Sequence, residues 1–252
     1  MSTSPIVGFV SPPCWCDPSP AEFQELCQGP VRTQQAMVDV PELDFNSLDA
    51  IGAAEPQVAR ASRLLGLAGA SVIGMTGTPF VWAGQEDEAG ARGRVERMSR
   101  AAGCPVIMTG TAIIDAVRAL GVTKIAVATP YYTDFWRSHA AQILTSAGLK
   151  VLVIRSADQQ GLASKITDID DYDAVSTPDT FAKSLEDLVQ AAPQAQALVC
   201  LGAGVRTLAH SARLEAKFGL PLVASDTALY WALARVAGVV IDADRLGRLG
   251  TV

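Results

Sequence analysis

Two short apolar runs break into glycine and small polar residues: Ser71–Gly84, SVIGMTGTPFVWAG, and Ala197–Leu208, ALVCLGAGVRTL. Each has the look of a buried parallel strand whose end delivers backbone N–H groups to a site. The first run offers Thr76, Gly77 and Thr78, and the second offers Cys200, Gly202, Ala203 and Gly204. Other strand ends add Ser11, Pro12, Pro13 and Cys14, then Thr129, Pro130, Tyr131 and Tyr132, together with Thr109–Thr111 and Ser225–Thr227. Hydroxyls and bare backbone dominate this set, and only Asp226 is ionised by default near neutrality. Such donors suit a small carboxylate and the negative charge that builds up beside it, so carbanion or enediolate chemistry fits. Taken one at a time, each hydroxyl also has a plainer role in capping a helix or closing a turn.

The elements that would carry these groups alternate. Strands are expected at Ile6–Val10, Ala36–Val40, Ser71–Met75, Pro105–Met108, Lys124–Ala128, Lys150–Ile154, Ala197–Leu201 and Pro221–Ala224. Helical spacing lies between them: Pro56–Ala68, a charged and exposed helix at Glu86–Ala102, Thr111–Leu120, Phe135–Ala147, Pro178–Ala191 with Thr177 as N-cap, Leu208–Lys217 and Thr227–Ala237. This is the order of an α/β protein with parallel sheets. The chain also repeats itself. Cys104–Ile114 can be laid without gaps on Leu220–Tyr230 at an offset of 116 residues, and Val7–Pro13 on Lys124–Pro130 at 117. Two pseudo-symmetric halves follow, 1–122 and 123–252, with paired strand ends expected to meet in one cleft.

Composition narrows the function. A chain of 252 residues that is 49% apolar can bury a real core. Its net charge of −6, without a Lys/Arg cluster, argues against nucleic acid. No apolar run reaches the roughly 20 residues of a membrane span, and the N-terminal MSTSPIVGFV lacks a basic leader pattern, so a cytoplasmic protein without a membrane partner is expected. Five cysteines, an odd number, fit reduced thiols rather than a disulfide framework. With only His139 and His210 to complete a site, Cys14 and Cys16 are not expected to bind metal. Gly202-Ala-Gly204 begins a dinucleotide fingerprint but has Thr207 where the third glycine belongs, so no cofactor is expected.

The motifs resemble the aspartate/glutamate racemase superfamily, and within it the arylmalonate decarboxylase and maleate isomerase branch. The resemblance rests on Gly8–Pro13, Met75–Thr78, Ala126–Tyr131, Leu201–Leu208 and Pro221–Gly238, in that order, over nearly the whole chain. It implies a cofactor-free lyase acting on a small mono- or dicarboxylate, foremost the decarboxylation of a substituted malonate. Thr76 falls at the family's first cysteine position, where the decarboxylases have glycine. Gly77 and Thr78 fall on an oxyanion-binding pair, Tyr131 on the active-site tyrosine, and Gly202 on the second cysteine position. Both thiols are therefore displaced. Cys200, Cys14 or water would return the proton, and Pro12, Pro13, Tyr132, Ala203 and Gly204 would line the substrate. Maleate isomerisation or amino-acid racemisation with displaced cysteines, and non-catalytic carboxylate binding, stay open, as does monomer against homo-oligomer.

Overall fold

The computed structural model describes residues 4–164 and 177–252; the first three residues of the N-terminal segment read above lie outside them. The first sheet is built from β1 (Ile6–Ser11), β2 (Arg32–Met37), β3 (Val72–Met75) and β4 (Val106–Met108), all parallel, in the order β2-β1-β3-β4. Around it run α1 (Ser19–Leu26), α2 (Leu48–Ala53), α3 (Glu55–Leu67), the single turn α4 (Pro79–Trp82) and α5 (Glu88–Ala102). α6 (Thr109–Ala119) starts directly at the end of β4. The second sheet consists of β5 (Lys124–Ala128), β6 (Lys150–Arg155), β7 (Ala197–Cys200) and β8 (Leu222–Ala224), parallel and ordered β6-β5-β7-β8. With it come α7 (Asp134–Ser146), α8 (Pro178–Ala191), α9 (Ser211–Phe218), α10 (Ser225–Ala237) and a 3₁₀ segment at Ala243–Thr251. The shared strand order bears out the internal repeat.

Burial explains which strands were readable. β1, β3 and β7 are buried almost throughout and read as unbroken apolar runs, as parallel strands covered on both faces must. β2 lies at a sheet edge and carries Arg32, Thr33, Gln34 and Gln35, so its apolar signal is absent. The expected strand at Ala36–Val40 was accordingly placed too late in the chain. Pro79–Trp82, expected as the end of a strand, is a helical turn whose Phe80, Val81 and Trp82 are buried. α2 was not foreseen; Ser47 caps it by accepting from Ala50 N–H.

Two compact units emerge. One comprises residues up to Gln85, Ala89–Ala112 and Leu229–Asp242; the other comprises Glu86–Glu88, Ile113–Ala228 and Ala243–Val252. The repeat-based division at 122/123 falls in the turn after α6, whereas the contacts divide inside α6 and assign most of α10 to the first unit. Leu229 and Leu233 of α10 lie against Gly74 of β3, where an added Cβ would come within 2.9 Å of Leu233. Among the described residues no helix is long and apolar enough to cross a membrane.

Candidate active site

In the first unit β1 and β3 run side by side, pairing Val7–Val10 with Val72–Met75, so the turns that follow them are neighbours. Thr76 extends the pairing: its N–H donates to Val10 O at 3.1 Å and its hydroxyl points to the same carbonyl at 3.4 Å. Gly77 comes next, and glycine is required there by close approach. A Cβ on it would lie 2.5 Å from Phe80 Cδ2 and 3.3 Å from Pro12 Cγ. The structure thus brings Pro12 to Gly77, with Pro13 buried alongside in sequence. Within the described residues the Gly77 amide donates to no protein acceptor. Thr78 is fully buried at the N-cap of α4. Thr109 and Thr111 take the plainer role foreseen for single hydroxyls: they donate to Met75 O at 2.7 Å and Met108 O at 2.9 Å.

An ion pair between buried Arg94 and partly exposed Glu55 fixes this loop from behind. Arg94 of α5 donates to Phe80 O at 2.8 Å, to Ala83 O at 2.7 Å and to Glu55 at 2.9 Å, and so holds the carbonyls of α4. Glu55 also accepts from Arg97 at 2.6 Å. That hydrogen bond, then the charges of Arg94 and Arg97, hold the Glu55 carboxyl below its ordinary range against the opposing effect of burial. Sequence reasoning missed Arg94, because α5 reads as a charged, exposed helix. A guanidinium reaching inward from such a helix leaves no trace in residue spacing.

In the second unit the ends of β5 and β7 are adjacent through the pairing of Ala128 with Cys200. Thr129 closes β5 onto Arg155 O with both its N–H (2.9 Å) and its hydroxyl (3.2 Å). Tyr131 and Tyr132 follow, 5.7 Å apart between ring centroids, and Tyr132 packs edge-on against Trp136 at 4.9 Å. Buried Arg137 holds this turn by donating to Tyr132 O at 2.6 Å. The Tyr131 ring lies over Gly202. Gly202 has φ +123°, a conformation that side chains rarely adopt, and a Cβ there would sit 2.8 Å from Tyr131 Oη and 2.9 Å from its Cζ. Tyr131 Oη accepts from Gly204 N–H at 3.2 Å. Within the described residues the Ala203 amide donates to no protein acceptor. Tyr131, Gly202, Ala203 and Gly204 are therefore brought together.

Asp226 organises the same loop without facing outward. Its carboxylate accepts from Thr207 N–H (2.7 Å), Thr207 Oγ1 (2.6 Å), Leu208 N–H (3.1 Å) and Thr227 N–H (2.9 Å). Ser225 Oγ accepts from Gly202 N–H at 3.0 Å and donates to Cys200 O at 3.3 Å.

The two cysteines considered as replacements differ in their settings. Cys200 is 1% exposed at the end of β7; burial, and then the Asp226 charge, push its thiol well above the ordinary value. Cys14 is exposed at φ 59°, and its thiol points to Pro41 O at 3.5 Å. All five cysteines are free; burial raises Cys104 and pushes Cys27 up to about 11. His210, expected in the helix after Gly204, stands just outside α9 as its N-cap. Among the described residues no group of three or more His, Cys, Asp or Glu is placed to hold a metal ion.

The chain has relatives among known proteins. The chain is 28% identical over 177 residues to the arylmalonate decarboxylase of Bordetella bronchiseptica, covering 70% of this chain and 69% of that protein. The structure of unliganded arylmalonate decarboxylase shares the fold with TM-score 0.77 at 25% identity, over 98% of this chain and 99% of that one. A serine variant of Nocardia farcinica maleate cis-trans isomerase, which carries a covalently bound succinylcysteine intermediate, superposes with TM-score 0.80 at 17% identity, over 98% of both chains. The model of the arylmalonate decarboxylase family matches residues 7–250, and the chain belongs to that family.

Proposed function

We propose that the protein is a cofactor- and metal-independent lyase that removes carbon dioxide from a small substituted malonate, with arylmalonates as the substrate class. The observation that carries this reading is the donor set of the second unit: among the described residues the Ala203 main-chain amide donates to no protein acceptor, and the Tyr131 hydroxyl stands over Gly202 in the same loop. Fixed amides and hydroxyls stabilise charge as it develops on a carboxylate and need no reorganisation to do so. In the first unit the Gly77 amide likewise donates to no protein acceptor among the described residues, Thr78 follows it, and Pro12 and the Phe80 ring present apolar surface at Gly77. A carboxylate held against such surface loses its hydration and is the one expelled. The electron pair of the broken C–C bond passes into an enediolate, whose oxygens the amides hold until a proton reaches the α-carbon.

Thr76 acts in this account through the backbone, since its hydroxyl is turned to Val10 O. Nucleophilic routes fit less well. The Nocardia isomerase variant carries its intermediate on a cysteine, and a thiolate is the form that attacks. Here the Cys200 thiol is buried beside Asp226 and held protonated, while Cys14 and Cys16 are exposed. The free thiols agree with a reducing compartment such as the cytoplasm.

The test is bicarbonate release from phenylmalonate and its α-substituted analogues, with maleate and aspartate as alternatives, before and after treatment with iodoacetamide. Turnover of the malonates that survives alkylation supports the reading. Turnover of maleate or aspartate alone, abolished by alkylation and protected by a carboxylate, overturns it in favour of thiol chemistry.

A further inference from the structure

A decarboxylase must return a proton to carbon, and resting on the function proposed above, we infer that in this chain the Tyr131 hydroxyl supplies it. Among the described residues at this end of the second sheet, Asp226, Cys200, Tyr131 and Tyr132 have the chemistry to do so, and Tyr132 is buried edge-on against Trp136. Asp226 is committed to the loop, both its oxygens accepting hydrogen bonds from Thr207, Leu208 and Thr227. Cys200 is sealed in β7, and a thiolate left there after proton transfer would be dehydrated and would face the Asp226 charge. Tyr131 Oη stands directly over Gly202, 2.8 Å from where a side chain would begin, so the hydroxyl occupies the space that a residue at 202 would otherwise fill. Its bond with Gly204 N–H is one in which the oxygen accepts.

The step balances without a further reagent except water. Carbon dioxide leaves with cleavage of the C–C bond, and the electron pair remains on the enediolate. The Tyr131 O–H bond then breaks, its proton forms the new C–H bond at the α-carbon, and the pair collapses from the enediolate into that bond. Tyrosinate accepts a proton from water, and the hydroxide released combines with carbon dioxide as bicarbonate. While the anion lasts, the Gly204 amide donates to the phenolate oxygen and steadies it. Because the hydroxyl is fixed on one side of Gly202, the proton arrives on one face of the enediolate, so a prochiral malonate yields one enantiomer.

The probe is α-methyl-α-phenylmalonate, with wild type compared with Tyr131→Phe, which keeps the ring over Gly202 and removes the hydroxyl, the acid and the acceptor of Gly204 N–H together. Product formation is expected to fall about 100-fold or more, with KM changed far less than kcat, and the residual product is expected to be racemic. A variant within tenfold of wild type, or one still giving a single enantiomer, overturns the role of Tyr131 alone. A wild-type protein inert toward every arylmalonate overturns the function and this role together. Should Tyr131→Phe fail to fold, 2,3-difluorotyrosine at position 131 retains the shape and makes the phenol more acidic. The alkaline limb of kcat then moves to lower pH if Tyr131 is the acid, and an unmoved limb rules it out.

Discussion

Gly202→Ala is the substitution whose cost follows most directly from the geometry. The backbone stands at φ +123°, where a non-glycine residue costs on the order of 1–3 kcal/mol. The new methyl would also begin 2.8 Å from Tyr131 Oη and 2.9 Å from Cζ, distances at which the ring must move. Displacing the ring breaks the 3.2 Å bond from Gly204 N–H, worth about 1 kcal/mol net. Together these give about 2–4 kcal/mol, a large part of the roughly 5–15 kcal/mol by which a typical domain is stable. The assay is a double-mutant cycle in urea with Tyr131→Ala. With the ring removed only the backbone contribution survives, so the cost of Gly202→Ala should drop by about 1–2 kcal/mol. Gly202→Ala within about 0.5 kcal/mol of wild type, or an identical cost in both backgrounds, refutes the packing of Tyr131 onto Gly202.

Asp226→Asn replaces a four-fold acceptor with a group whose NH₂ must face either the Thr207 and Leu208 amides or the Thr207 hydroxyl and the Thr227 amide. A loss of about 2–3 kcal/mol is expected in denaturant, and an unchanged midpoint would show that Asp226 does not hold the Gly202–Leu208 loop. Glu55→Gln strips Arg94 of its counter-charge while the Phe80 and Ala83 carbonyls still accept from it. Because Glu55 is partly exposed, the expected cost is about 2 kcal/mol, below the ~3–5 kcal/mol of a fully buried pair. The same carboxyl gives a pH signature. Its folded value is lowered, so its stabilisation is complete above the ordinary carboxylate range and is lost as pH falls through the folded value. Wild type should therefore lose more stability than Glu55→Gln between neutrality and about pH 3, and parallel acid profiles would contradict this.

Architecture was legible wherever burial was two-sided. β1, β3, β5 and β7 are central strands whose apolar runs stop at glycine, proline or threonine, and their ends locate Gly77, Tyr131 and Gly202 directly. The edge strand β2 escaped, since a strand covered on one side need not be apolar. What each strand-end residue does with its donors was not legible. Thr76, Thr109, Thr111 and Thr129 look alike in sequence, yet each spends its hydroxyl on a neighbouring backbone carbonyl. Among the described residues the amides of Gly77 and Ala203, invisible to any reading of side chains, donate to no protein acceptor. Arg94 and Arg137 were missed for a related reason: on amphipathic helices an inward-reaching guanidinium is indistinguishable from a solvated one until its carbonyl partners are seen.

Proton NMR in deuterated water, with α-methyl-α-phenylmalonate, maleate and aspartate offered together, tests the central claim most directly. The account predicts 2-phenylpropionate carrying one deuteron at the α-carbon, as a single enantiomer, with maleate and aspartate untouched. Fumarate, or aspartate deuterated at its α-carbon with the malonate intact, would contradict it.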